Sequence, residues 1–130
     1  MIAANLRAYI VAQSAITSLV EQRVYPVILP QKVTMPAISY REDSHDLDET
    51  FDGQTGLTES FYMVDAFGST YSEATDVGDA IRAALKNHKG DLGGIGVSKI
   101  SLVNGPETVY EDEVEAYRQT QTFSIWHNEV

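Results

Sequence analysis

The chain has 130 residues, of which 19 are acidic and nine basic, and its formal charge is −10. This length suits a single domain over residues 1–130, and the negative charge disfavours direct binding to nucleic acid, whose phosphates carry the same sign. Cysteine is absent, which excludes disulfides, thiol catalysis and thiolate-bound metals.

The N-terminal segment is predicted to form two amphipathic helices. Apolar residues recur at helical spacing from Ile2 to Ile10 and again from Ile16 to Val20, and Ser14 is expected to cap the second helix. No basic cluster precedes the apolar residues, and polar side chains interrupt them. We therefore expect neither a signal peptide nor a membrane span.

Prolines shape the segment that follows. Pro26, Pro30 and Pro36 favour an extended, turn-rich run, because each fixes its own φ and keeps the preceding residue out of the helical region. Residues Ala37–Glu42 then alternate in polarity, which is typical of a short half-buried strand.

A long polar loop is predicted over residues 43–58. It is rich in acids and contains few apolar residues, so burial cannot offset its ordering entropy. We expect it to be mobile in the free subunit and to become ordered against a partner, with Leu47 and Phe51 as anchors.

The central part of the chain predicts a strand followed by a helix. Aromatic and β-branched residues dominate Glu59–Phe67. Thr70 and Glu73 then form a capping box, so the helix should begin at Tyr71. A narrow stripe of small and apolar residues marks its buried face, and Gly90 is its expected stop.

Strands dominate the remaining sequence. Ile95–Val103 and Tyr117–His127 alternate with period two, and Asn104–Pro106 is expected to be a turn after which Thr108–Tyr110 pairs back briefly. The order of elements predicts an α+β fold with helices packed on one face of a mainly antiparallel sheet of four to five strands.

No motif in the sequence assigns a chemical centre. The glycine-rich stretch Gly90–Gly96 follows a helix and enters a strand, the reverse of a phosphate loop, so it is interpreted as a flexible connection. A calcium loop starting at Asp46 would need glycine and glutamate where Phe51 and Leu57 stand.

Residues for catalysis are equally hard to assign. The three histidines lie far apart in the sequence, and no nucleophile elbow is present. We therefore predict no catalytic, cofactor-binding or metal-binding residues, and a protein that is not an enzyme. A small carboxylate-dependent enzyme is the less favoured alternative.

Several stretches, in their order and spacing, resemble the tail-completion or tail-terminator family of long-tailed bacteriophages, prophages and gene-transfer particles. The resemblance covers nearly the whole chain. The residues that carry it are Arg23-Val24-Tyr25-Pro26, Pro30, Pro36, Gly53 to Leu57, the strand Tyr62 to Phe67, Tyr71-Ser72-Glu73-Ala74, Tyr110-Glu111 and Tyr117-Arg118.

This resemblance implies a structural subunit of the virion. Its expected role is to form a ring, commonly of six copies, that ends polymerisation of the tail tube and joins the tail to the head connector. The implied partners are further copies of the chain, the tail tube protein and a head-closure or connector protein. The implied location is the junction of head and tail in the virion, and the host cytoplasm during assembly. The alternative function is that of a head-closure or other neck protein of the same particle.

The family does not fix individual contact residues, so the candidates come from the sequence itself. They are Arg23, Tyr25, Arg41, Leu47, Phe51, Tyr110 and Arg118. The three arginines are expected to offset the repulsion between like-charged subunits. At −10 per subunit, ring closure should be weak in isolation and improve with salt, or wait for the tube as a template.

Overall fold

The computed structural model describes residues 2–43 and 57–128, which form three helices and six strands. The bounds are α1 Ala3–Val11, α2 Ser14–Val20, β1 Val24–Pro26, β2 Ala37–Glu42, β3 Leu57–Gly68, α3 Tyr71–Leu85, β4 Gly90–Leu92, β5 Ile95–Glu111 and β6 Ala116–Asn128. The predicted strand Ala37–Glu42 has the bounds of β2, and the α+β class is confirmed.

All six strands belong to one sheet, in the order β1-β2-β3-β6-β5-β4. The pair β1–β2 is parallel and the other pairs are antiparallel. The prediction of a mainly antiparallel sheet with four to five strands was therefore wrong in its count, and the sheet is mixed. The two edge strands, β1 and β4, have three residues each, which is too short for a period-two pattern to mark them in the sequence.

Helix α1 contacts both edge strands, because the sheet curls. The guanidinium of Arg7 donates from Nε to the carbonyl of Val24 in β1, at 2.9 Å. The side-chain amide of Asn5 donates to the carbonyl of Gly93, in the turn after β4, at 2.8 Å. One helix thus supplies polar groups to both ends of the curled sheet.

The main core lies between the helices and one face of the sheet. Along β3 the residues Tyr62, Val64 and Ala66 point into it, and along β6 so do Phe123 and Ile125. The predicted stripe of α3 is confirmed, with Ala74, Val77, Gly78, Ile81 and Leu85 buried. Burying each large apolar side chain contributes about 1.5–3 kcal/mol, so this interface dominates the stability of the fold.

The predicted capping box at the start of α3 is also confirmed. The hydroxyl of Thr70 accepts the backbone N–H of Glu73 at 3.1 Å, and the Glu73 carboxylate accepts the N–H of Ser69 at 2.7 Å. The end of the helix was predicted too late. It stops at Leu85, because Lys86 is already extended (ψ 126°). Asn87 then adopts a left-handed conformation (φ 67°) and donates its N–H to the carbonyl of Ile100.

Three further details differ from the sequence-based expectations. Gln13 occupies the N-cap of α2 without a side-chain bond, so Ser14 is its first helical residue and not its cap. Part of the expected flexible connection is strand β4.

The third difference concerns the Asn104–Pro106 stretch. It does not reverse the chain but lies within the continuous strand β5, where register shifts absorb the extra residues. Thr108–Tyr110 therefore pairs with β6.

Candidate functional site

The candidate residues predicted from the sequence fall into three places. Leu47 and Phe51, together with most of the predicted loop 43–58, lie outside the described residues. Arg23 and Tyr25 lie at β1. Arg41, Tyr110 and Arg118 lie on β2, β5 and β6, where the register of the sheet places Arg41 and Arg118 on opposite sides of β3.

Arg23 is engaged within its own subunit. Its Nε donates to the carbonyl of Pro36 at 2.9 Å, and its Nη1 lies 3.4 Å from the carboxylate of Glu21. The ring of Tyr25 packs against a small second apolar cluster. Both residues therefore hold the connection between β1 and β2 in place.

Arg41 and Arg118 converge on one buried carboxylate, Asp65. Asp65 alternates along β3 with the core residues Val64 and Ala66, so it lies on the face of the sheet opposite α3, called the outer face below. Nη1 of Arg41 lies 3.2 Å from Oδ2 of Asp65, and Nη1 of Arg118 lies 3.8 Å from Oδ1.

Two neighbours complete this arginine–carboxylate network. The hydroxyl of Thr120 donates to Oδ1 of Asp65 at 2.6 Å, and Arg118 donates from both Nε and Nη2 to the carboxylate of Glu111. A buried charge is tolerated when it is paired and hydrogen-bonded in this way. The network therefore ties β2, β3, β5 and β6 together on the outer face.

Tyr110 belongs to a cluster of three tyrosines. Its ring meets that of Tyr117 edge to face, with centroids 5.1 Å apart, and Tyr117 meets Tyr71 in the same geometry at 6.2 Å. Tyr71 and Tyr110 remain 58% and 50% exposed. Exposed tyrosines held in a fixed arrangement are typical of protein-binding surfaces. We call these three residues the tyrosine cluster.

A second exposed apolar surface lies on the turn after β1. Val27 and Ile28 are 63% and 77% exposed, and Val114 of the β5–β6 turn is exposed beside them. Val27 has a φ of 66°, a left-handed conformation that costs a β-branched residue roughly 1–3 kcal/mol. We call Val27, Ile28 and Val114 the loop surface.

Backbone hydrogen bonds hold the loop surface in this conformation. The N–H of Val27 donates to the carbonyl of Tyr40, and the N–H of Ile28 donates to that of Pro26, both at 2.7 Å. The sequence-based predictions did not include Val27 and Ile28, although the sequence marks them. Two adjacent β-branched residues stand in a turn-rich run between Pro26 and Pro30, where polar residues are usual.

A groove of about 220 Å³ lies between the turn after β1 and the β5–β6 turn. Its lining combines apolar side chains with the arginine–carboxylate network: Val27, Ile28, Leu29, Ser39, Arg41, Asp65, Phe67, Glu111, Glu113, Val114 and Arg118. A surface of this kind suits contact with another protein, since apolar walls surround a polar centre.

Tyr62 and His127 are buried on the helix side of the sheet, and burial shifts the pKa of each. Burial raises the pKa of Tyr62 to about 12, with Glu42 and Tyr40 adding to the effect, and its hydroxyl has no hydrogen-bond partner among the described residues. Burial lowers the pKa of His127. Its Nδ1 donates to the carbonyl of Asn128 at 2.6 Å, and Nε2 accepts from the hydroxyl of Ser60 at 2.8 Å, as a neutral ring does.

Within residues 2–43 and 57–128, no group of three or more His, Cys, Asp or Glu side chains is placed to hold a metal ion. In the same part of the chain, no helix has the length and apolar character needed to cross a membrane.

Comparison with known proteins bears on the whole chain. A solved structure described as the virion of a native gene transfer agent particle contains a chain with a TM-score of 0.73 and 16% sequence identity, and the match covers 98% of each chain. At this identity the match shows a shared fold. Comparison with curated proteins gave no match. The sequence matches the family described as tail completion protein gp17 over residues 4–128, and the chain therefore belongs to this family of structural virion proteins.

Proposed function

We propose that the protein is a tail terminator, which acts by assembly and without catalysis. Copies of the chain form a closed ring, of six subunits in this proposal, that ends polymerisation of the tail tube and joins the tail to the head connector. Membership of the tail completion family supports this role. The structural observation that carries the proposal is the loop surface, where apolar side chains are held exposed on strained backbone.

The loop surface suits a border between subunits. Exposing Val27 and Ile28 to water gains nothing for the isolated subunit, and the left-handed conformation of Val27 adds a cost. When another protein covers these side chains, their apolar surface leaves water, and the free energy gained offsets the strain of Val27. Arg41 lies beside Val27 in the groove, and its side chain is 40% exposed, so it is the candidate arginine best placed to meet a carboxylate of a neighbouring subunit.

The proposed partners outside the ring are the tail tube protein on one side and the head-closure or connector protein on the other. The proposed location is the junction of head and tail in the virion, reached from the host cytoplasm during assembly. Direct nucleic-acid binding is not part of this role, since the subunit carries a formal charge of −10.

Deletion of the gene in a strain that produces the particle tests this function. A tail terminator is required both to stop the tube and to attach it, so electron microscopy of the lysate should show filled heads beside unattached tails, many of them abnormally long. Free tails of normal length would favour a head-closure or other neck protein instead. Normal joined particles would overturn both assignments.

A pair of substitutions tests the loop surface in the same strain. Ile28→Asp places a charge at the centre of this surface and should reproduce the deletion phenotype. Val103→Asp is the matched control, because Val103 is also β-branched and is 50% exposed, but lies on β5 away from the groove. Joined particles are expected with Val103→Asp, and equal loss of joining in both variants would contradict the role of the loop surface.

A further inference from the structure

Strand β5 has a free edge over much of its length in the described part of the chain. Strand β4 pairs only with Ile95–Val97, and the N–H of Asn87 covers the carbonyl of Ile100. Beyond that point β5 pairs on one side only, with β6. The opposite edge of the sheet offers less room for a further strand. Strand β1 is only three residues long, and the carbonyl of its Val24 already accepts a hydrogen bond from Arg7.

The last five residues of β5, Glu107–Glu111, form the regular part of this edge. They pair with β6 from Thr120 to Ala116 without a register shift, whereas three shifts interrupt the pairing between Val97 and Glu107. Every second residue of a regular edge strand directs its N–H and C=O groups away from the sheet. Such an edge can accept a further strand through main-chain hydrogen bonds.

The side chains of this segment alternate between two kinds of surface. Glu107, Val109 and Glu111 lie on the outer face, where Val109 pairs with Arg118. Thr108 and Tyr110 lie on the helix side, where Tyr110 joins the tyrosine cluster. An added strand would therefore meet carboxylates on one face and exposed aromatic rings on the other.

The exposed charges around this edge are mainly acidic. The β5–β6 turn adds exposed carboxylates at Asp112, Glu113 and Glu115. The base on the neighbouring strand, Arg118, is already bonded to Glu111 and Asp65. A second copy of this chain would bring its own formal charge of −10, so like-charge repulsion disfavours it here and a basic partner is favoured.

We propose that the Glu107–Glu111 edge of β5 binds an extended segment of a different protein, in which basic and apolar residues alternate. The segment adds to the sheet as a seventh strand beside β5. Its basic side chains lie on the outer face beside Glu107, since Arg118 already pairs with Glu111, and its apolar side chains contact Tyr110 and Tyr71. This proposal deepens the proposed function, because it names the chemistry of one partner that the subunit meets in the particle.

A synthetic peptide of about eight residues, the length of an ordinary strand, tests the proposal with the full-length protein. The probe alternates arginine and valine and carries a fluorescent label, and binding is measured by anisotropy. Two control peptides alternate arginine with glycine, which keeps the charge, and glutamate with valine, which reverses it. The arginine–valine peptide should bind at least about tenfold more tightly than either control. Equal binding of the arginine–glycine peptide would show that charge alone attracts it, and would overturn the proposal.

Four variants locate the binding. Tyr110→Ala and Glu107→Gln should each weaken the arginine–valine peptide by about tenfold, whereas Val103→Ala and Asp79→Asn, at exposed positions elsewhere, should leave it within about twofold. Circular dichroism checks that each variant is folded.

Amide hydrogen exchange distinguishes the addition of a strand from binding through side chains alone. Amides within Glu107–Glu111 should exchange more slowly when the peptide is bound. The absence of binding, equal losses in all four variants, or unchanged exchange at this segment would each overturn the proposal. The proposal would also be overturned if sedimentation showed that the protein forms a dimer and that Tyr110→Ala dissociates it, because a second copy would then cover this edge. None of these results bears on the deletion phenotype, so the two proposals fail independently.

Discussion

Nη1 of Arg41 lies 3.2 Å from Oδ2 of Asp65, a carboxylate whose side chain is only 4% exposed. Arg118 and Thr120 contact the other oxygen of the same carboxylate. The pairing joins residues on three strands that are far apart in the sequence. It also places two of the three candidate arginines on one acid within the subunit, so Arg41 and Arg118 contribute to the fold.

Replacement of Arg118 should destabilise the subunit more than replacement of Arg41. Arg118→Met leaves Glu111 without a guanidinium and leaves Asp65 with Arg41 alone. It should lower the free energy of unfolding by about 2 kcal/mol, because the charge-assisted bonds to Glu111 are lost and the buried carboxylate of Asp65 keeps only one of its two counter-charges. Arg41→Met should cost less, since Arg41 is more exposed and Thr120 and Arg118 still hold Asp65. Urea denaturation of each variant measures these differences.

The control for this series is Arg82→Met on α3. Arg82 pairs with Asp79, whose side chain is 62% exposed, and an exposed ion pair contributes at most about 1 kcal/mol. An Arg118→Met variant as stable as Arg82→Met would contradict a structural role for the arginine–carboxylate network.

Gly78 of α3 should not tolerate a methyl group. A Cβ at this position would overlap the side-chain amide oxygen of Gln119, which is buried against the helix. Although alanine favours helix by up to about 1 kcal/mol over glycine, Gly78→Ala should therefore lower the free energy of unfolding by roughly 1–3 kcal/mol.

A second substitution separates overlap from other causes. Gln119→Ala removes the overlapping atoms, so adding Gly78→Ala to a Gln119→Ala background should cost far less than adding it to the wild type. Ser72→Ala, at an exposed position of the same helix, should have little effect. Equal costs in both backgrounds, measured by thermal denaturation, would show that Gln119 is not the obstacle.

His127 should make the subunit less stable in mild acid. Burial lowers the pKa of its folded imidazole below the ordinary value of 6.5, so as the pH falls through that value the unfolded chain takes up a proton that the folded chain does not. The free energy of unfolding therefore falls with pH in this window. His127→Gln should lose part of this dependence, and wild-type and variant curves that stay parallel from about pH 7.5 to pH 5.5 would contradict it.

Self-association should respond to salt in the direction that the net charge dictates. Subunits at −10 repel one another, and screening at about 0.5 M NaCl shortens the range of that repulsion compared with about 0.05 M. Sedimentation velocity should show more oligomer at the higher concentration, and Ile28→Asp should remove it. Association that weakens as salt is added would indicate attraction between opposite charges at the borders instead.

The parts of the fold that follow local chemistry were predictable from the sequence. Thr70 and Glu73 set the start of α3 through bonds that span four residues, and alternation set the bounds of β2. The short strands β1 and β4 were not predictable, because three residues carry no periodic signal. They form where other elements meet them, β1 beside β2 and β4 beside β5.

The candidate surfaces were predictable only in part, for a similar reason. Tyr110 was identified singly, but its partners Tyr71 and Tyr117 are brought to it by the pairing of β5 with β6 and by the position of α3. Likewise Asp65 joins the two arginines only through the register of β3 with its neighbours. The exposure of Val27 and Ile28 depends on a left-handed turn that a β-branched residue rarely adopts.

The central claim, that this chain closes the tail and joins it to the head, is tested most directly by electron cryo-microscopy of the junction in intact particles from a producing strain. The account predicts a closed ring of this chain between the last ring of the tail tube and the head connector, with Val27 and Ile28 covered by protein. A reconstruction that places the chain elsewhere in the particle, or as a ring with both side chains facing solvent, would contradict it.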